Sequence, residues 1–280
     1  MSLSLSNVDQ TLFDAEVKKA YQSKGFILRE FVRLRQDVAD SVVSFRKVGS
    51  VTAEQYGFQS AVNYQDPNYN KVNVTLNPYR AATLIDDVER FLYNFDERQE
   101  DAQLLAMALG RRSDQLIIDS LNASATANTI ANGGTGMTFA KVRQVVKFFN
   151  DLAVPPEHRV IAISATAEEQ LMAEDQFTSS FYINLDAIKN GGLNNNFAMG
   201  MMWKVIPTMT EGGLPLAGNI RTCFAWHKLA LGMGVGRNFS TQIERVPHLD
   251  SWQVLGKIFA NSVAVDNVGI VSVAIDESIV

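Results

Sequence analysis

Small and apolar side chains recur at three- and four-residue spacings through Ala102, Leu105, Leu109, Leu116 and Ser120, the repeat of a single helix face. From Arg98 to Leu121 the chain has one glycine and no proline, and it is rich in Ala, Leu, Met, Gln, Arg and Glu. Local propensity therefore agrees with the periodicity. Asp96, Glu97, Glu100 and Asp101 stand at the start, where the positive end of a helix dipole favours carboxylates. The pattern predicts a rod over 98–121, about 36 Å long at about 1.5 Å per residue. Arg112 falls beside the apolar stripe. Either it snorkels to solvent with Arg111 as ordinary surface, or the helix is incompletely covered and both arginines meet carboxylates on a neighbouring chain.

Elsewhere the pattern changes. Residues 1–44 carry Val17, Tyr21, Phe26, Phe31, Leu34 and Val38 out of clean register, with Gly25 between them. One or two short helices and an extended arm are expected. Val42–Phe45 and Val48–Val51 read as strands, and Lys71–Leu76 alternates strictly, as a strand with one covered face does. Asp66-Pro67-Asn68 marks a reversal in the turn-rich stretch between them. The segment predicts a long two-stranded ribbon. A ribbon of that kind is marginal alone, and no adjacent strand follows in sequence, so another copy of the chain is a candidate for its cover.

After the rod comes a loop of small residues and glycines, 123–138, ending at Thr138, a cap for a helix whose stripe is Val142, Val145, Val146 and Phe149. Pro155-Pro156 ends it, Val160–Ile163 is a short buried strand, and Ala165–Phe177 a second helix. Trp203–Ile206 is a strand stopped by Pro207, and 221–247 and 252–276 read as further strands. Helix and strand alternate here as in an α+β or α/β subdomain.

With 46% hydrophobic and 20% charged residues, 280 positions can bury a sizeable core. No apolar run is long enough to span a membrane, and MSLSLSNVDQ lacks the features of a signal peptide. The single cysteine, Cys223, excludes an intramolecular disulfide and fits synthesis in a reducing cytosol. A net charge of −5 without a basic block argues against a protein that grips nucleic acid by its phosphates.

Candidate chemistry is thin. Gly232-Met233-Gly234-Val235-Gly236 lacks the spacing of a dinucleotide fingerprint, and strand-like sequence follows it. It reads better as a strand whose glycines permit a bulge or close backbone approach. His158, His227 and His248 are not spaced as a ligand pair. His227 reads as a packed or edge-strand residue, and no catalytic, cofactor or metal site is expected. A soluble α/β enzyme, with a pocket converging on His227 or the glycine run, stays as the outlying alternative.

Three segments carry a resemblance: TLIDDVERFLYNFDERQEDAQLLAMALGRRSDQLIID, NLDAIKNGGLNNNFAMGMMWKVIPTMTEGG and FAWHKLALGMGVGRNFSTQIERV. Together with the order of elements, they resemble the major capsid proteins of tailed double-stranded-DNA bacteriophages, a fold shared with encapsulins. The local likeness is strongest to short-tailed phages. The resemblance implies an α+β capsid fold. Its parts would be an N-terminal arm (1–41), an extended β-hairpin loop (42–84), a peripheral domain with a spine helix (85–136 and 243–280) and an axial domain (137–242). It implies hexamers and pentamers closing into an icosahedral shell in the virion. The shell would hold DNA without reading it, and would use a separate scaffolding protein and a portal. Candidates for contacts between subunits are Arg46, Lys71, Arg80, Arg98, Arg111 and Arg112. Some such proteins weld subunits through a lysine–asparagine bond. Lys71 could imitate the lysine, but neither the asparagine nor the promoting glutamate has a match. An encapsulin-like cargo shell would share the fold.

Overall fold

The structure, a computed structural model, describes residues 23–36, 40–86, 97–124, 128–174 and 192–279; the side chains of 97–99 fall outside that description. The rod is helix α1, Glu97–Ser124, slightly longer than its periodicity predicts. Its first half lays Ala102 and Leu105 against Ile85 and Val254. Its second half is buried on a further face as well, through Ser113, Asp114, Ile117, Ile118 and Leu121. One helix thus joins two sheets, a role that a single apolar stripe does not disclose.

The first sheet is four-stranded, in the order β1 (Arg33–Arg35), β11 (Leu231–Val246), β12 (Ser251–Ala264), β4 (Asn77–Asp86). β11 and β12 form a long antiparallel hairpin, with register shifts at Val235/Arg237 and Arg237/Ser240. β4, antiparallel to β12, continues the ribbon segment into this sheet beyond the alternation read at 71–76. The second sheet runs β5 (Thr129–Ile130), β13 (Ile270–Asp276), β10 (Ile220–His227), β6 (Arg159–Ser164), β8 (Met201–Ile206), β7 (Phe197–Ala198), with β9 (Leu216–Ala217) on β10. β6 is wholly buried, as its apolar run predicts. β11 stays in the first sheet along its whole length, and β13 crosses to pair with β10 in the second.

Helix α2 (Phe139–Asp151) buries Val142, Val145 and Phe149, and its Thr138 hydroxyl accepts from the Lys141 amide at 3.4 Å, as a cap should. Helix α3 (Ala165–Met172) is capped by Ser164 and ends short of the expected Phe177, which lies outside the described residues, as do the arm elements expected in 1–22. What is described of the arm is a 3₁₀ turn at Arg29–Phe31 and strand β1.

The ribbon consists of β2 (Val42–Val48) and β3 (Tyr69–Thr75), antiparallel, with Phe45 opposite Val72. The second strand expected at 48–51 does not form: Val48 ends β2, and 49–51 are without regular structure. Here the sequence reading needs correction, because the base of the ribbon is covered by its own chain. Val43, Phe45, Val74 and Leu76 form a small core with Val265, Phe259 and Val263. Glycines of β11 make the trough. A Cβ on Gly232 would stand 2.7 Å from the Phe45 ring, and one on Gly234 2.6 Å from Val43. The run Gly232–Gly236 is thus a strand that lets side chains approach its backbone, as expected, and not a phosphate cradle.

Residues 23–28 cross α1 backbone against backbone. Gly25, at φ +70°, lies so close that a Cβ would sit 2.1 Å from the Gly110 carbonyl carbon. Asp114 locks the crossing by accepting from the amides of Ile27 and Leu28, each at 3.0 Å. Burial pushes its carboxyl up to about 6, against the opposing pull of those two amides. The folded chain therefore keeps a proton that the unfolded chain has already released above about pH 4. The resulting stability is complete below pH 4 and is lost as pH rises through 6, on the order of 2–3 kcal/mol. Urea titrations between pH 4 and 7 should show that decline in the native chain, with Asp114→Asn flattening it.

Candidate functional site: the ribbon and the open sheet face

Beyond its anchored base the ribbon projects. Residues 49–68 form an open loop whose neck is held by a side chain imitating a strand. The Gln65 carboxamide accepts from the Thr52 amide at 2.9 Å and donates to the Thr52 carbonyl at 2.9 Å. Beyond that neck, Tyr56, Phe58 and Tyr64 stand in solvent, with Phe58 fully exposed. Large exposed aromatics on a projecting loop mark a contact surface.

The charged candidates fall in three places. Arg46 and Lys71 face each other across the ribbon on its outer surface. Beside them an Arg33 Nη1 reaches the Arg46 carbonyl at 3.4 Å, and Arg33 and Arg35 lie 5.7 and 5.6 Å from the centre of the Phe45 ring. Arg80 faces Lys257 across β4 and β12, on the sheet face opposite α1. With Arg237, Pro78 and Phe259 they line a cavity of about 500 Å³ that reaches Tyr79 and Ile258, whose side chains turn to the α1 side of the sheet.

Arg111 and Arg112 make contacts within the chain. Arg111 donates to the Ser23 carbonyl at 3.2 Å, and Arg112 lies over the Tyr79 ring at 4.7 Å with Glu211 at 3.8 Å. Arg98 belongs to α1, but its side chain is outside the described residues. Sequence reasoning missed Arg33, Arg35, Arg237 and Lys257. Nothing local in the sequence marks them, since a cation shares a face with a cross-strand partner only once the strand order is known.

The positions where catalysis was weighed are packed. Cys223 is fully buried in β10, and burial pushes its thiol up to about 12. His227 is almost buried, its Nδ1 accepting from the Leu229 amide at 3.3 Å, and burial lowers its pKa. Among the described residues no three His, Cys, Asp or Glu side chains gather as metal ligands, and no helix is long and apolar enough to cross a membrane.

An α+β scaffold whose prominent features are a projecting ribbon and an open cationic sheet face defines a structural subunit, one that acts through contacts. The chain belongs to the phage capsid protein family, whose model matches residues 5–277. Its fold is that of the tailed-phage capsids, and its role is that of a major capsid protein, located in the virion capsid. The head structure of Helicobacter pylori bacteriophage KHP40 is similar at a TM-score of 0.79 and 11% identity, covering 94% of this chain and 95% of that chain. The capsid of Cyanophage P-SCSP1u is similar at 0.73 and 13%, covering 93% and 91%. The structure from Mycobacterium phage Che8 is similar at 0.69 and 15%, covering 96% and 97%. No curated protein matches the chain.

Proposed function

We propose that copies of this chain associate as hexamers and pentamers and close into an icosahedral shell around double-stranded DNA, with a separate scaffolding protein and a portal taking part. The observation that carries this reading is the division of the ribbon. Its base is fixed to its own chain, while its tip holds exposed aromatics that the same chain leaves uncovered. A rigid base aims the tip, and a neighbour that buries it gains apolar contact. Many such contacts, each weak, close a shell through simultaneous attachment. The net charge of −5 suits a container that touches DNA without gripping it. Synthesis in the host cytoplasm fits the lone, buried cysteine. The phage family match favours this reading over an encapsulin-like compartment.

Removal of residues 53–64 tests it, because the cut leaves β2 and β3 intact. The expected product is a folded subunit with native far-UV dichroism that gives no closed particles by size exclusion or negative-stain microscopy, under conditions where the full chain, with its scaffold, gives them. Normal particles from the shortened chain would refute the role given to the tip.

A further inference from the structure

Two connections between the sheets meet at one joint. The chain leaves β10 at His227, makes a 3₁₀ turn at Lys228–Ala230 and enters β11. On the return it leaves β12, makes a second such turn at Asn267–Gly269 and enters β13. The two turns touch, so that a Cβ on Gly269 would stand 2.8 Å from that of Ala230. The Ala230 carbonyl accepts from the amides of Val265 at 2.8 Å and Asp266 at 3.1 Å. The Asp266 carboxylate in turn accepts from Lys47 of the ribbon at 2.7 Å and from the Val268 amide at 3.1 Å. The ribbon base is thereby tied to the joint as well as to the small core around Phe45.

His227 holds this joint closed. Its Nδ1 accepts from the Leu229 amide and caps the first turn, while its other ring nitrogen donates to the Glu157 carbonyl. The ring is therefore the neutral tautomer with its proton on Nε2. A proton added at Nδ1 would set a donor against the Leu229 amide, itself a donor, and the cap would be lost. Arg159 and His158 face the ring and disfavour an imidazolium, and the Glu157 carboxylate opposes them. Asp266 lines the same cavity as the ring, and Lys228 follows it in the turn. That cavity, about 250 Å³ and otherwise bounded by Leu152, Pro155, Leu229 and Val268, gives the ring somewhere to move. We propose that His227 is a proton-operated lock on this joint: its protonation frees the 228–230 turn, slackens the hold of Ala230 on Asp266 and loosens the ribbon base at Lys47. Burial lowers the pKa of the ring, so the stability drawn from its neutral form is complete above about pH 6.5 and declines below it. The lock belongs to the subunit itself and stands apart from the shell reading.

Hydrogen exchange on the free, full-length chain at pH 7 and pH 5 tests it, with intrinsic rates divided out. At the lower pH the amides of Leu229, Val265 and Asp266 should exchange about tenfold faster, and those of 42–48 about threefold faster, while β6 keeps its protection. Asp114 works the other way over this range, so it cannot produce the quickening. His227→Asn keeps an acceptor at the cap and cannot take the proton, so its exchange should change by less than about twofold. Equal protection of the native chain at both pH values, or the native acid response in His227→Asn, overturns the lock. Quickening confined to 228–230, with 42–48 unmoved, overturns the tie to the ribbon and the proposal with it.

Nitrogen NMR of the imidazole needs no variant. The His227 ring should carry its proton on Nε2 at pH 7 and take up the second below about pH 6.5. A ring already charged at pH 7, or with its single proton on Nδ1, overturns the proposal. Asp266→Asn separates the lock from the tie, because it keeps a cap on the second turn and removes the charge that Lys47 meets. Acid should still quicken Leu229 in this variant, while 42–48 should change by less than about twofold. A full acid step at 42–48 in Asp266→Asn would show that the signal does not pass through Lys47, and the proposal falls.

Discussion

Phe45→Ala should cost about 3–5 kcal/mol, the range for truncating a buried aromatic, and the loss should be local to the ribbon. Phe45 is fully buried, seated on Gly232 with Arg33 and Arg35 over its ring. Alanine would leave that trough empty, because glycine has no side chain to move into it. The two guanidinium groups would lose their aromatic partner at the same time. Hydrogen exchange should therefore quicken at 42–48 and 69–75, while the amides of β6 and β10 keep their protection. Arg46→Ala, on the exposed outer face of the same strand, should stay within about 0.5 kcal/mol of native. Equal protection of β2 and β3 in Phe45→Ala and the native chain would show that the ribbon base is held by something other than this core.

This anchoring also marks where the sequence was legible and where it was not. The spine helix could be read because propensity, spacing and terminal charges agree over a long stretch, and such agreement is local. The alternation at 71–76 told which ribbon face is covered, but not by what. The answer lay far downstream, in the alternation of Gly232, Gly234 and Gly236. Glycines two apart share one face of a strand, so that face is a groove, and a groove implies side chains that fill it. The run was read as permitting close approach, yet nothing in it names Phe45 or Val43.

Asp114 was less legible still. Its partners are the backbone amides of Ile27 and Leu28, and a backbone amide has no signature in the sequence. The spacing sets Arg112 beside the apolar stripe, but its position over Tyr79 depends on β4, which joins the first sheet only through its pairing with β12. The open cationic face could not be assembled before Arg80, Arg237 and Lys257 were known to lie on adjacent strands.

The other large effect concerns a lysine that the reading passed over. Lys141 stands on α2 next to Val142, and its ammonium donates to four backbone carbonyls. Those of Asn132, Thr135 and Gly136 lie at 2.9 Å, and that of Ala274 at 3.1 Å. One cation thus ties the glycine-rich loop at 132–136 to β13 and to its own helix. Burial lowers its pKa, yet the converging carbonyl dipoles stabilise the charged form and supply the acceptors it needs.

Lys141→Met keeps the aliphatic length and removes every donor; the Asn132 and Thr135 carbonyls keep the amides of Thr135 and Asp276, while those of Gly136 and Ala274 lose the ammonium in a largely buried site. The expected loss is about 3 kcal/mol, the scale for orphaning buried polar groups, read as a lower urea midpoint with an unchanged slope. Lys141→Arg should not restore it, because a planar fork cannot serve four acceptors gathered round one point. Stability within 0.5 kcal/mol of native in Lys141→Met would mean that water replaces the ammonium, and that the loop is held by its turns alone.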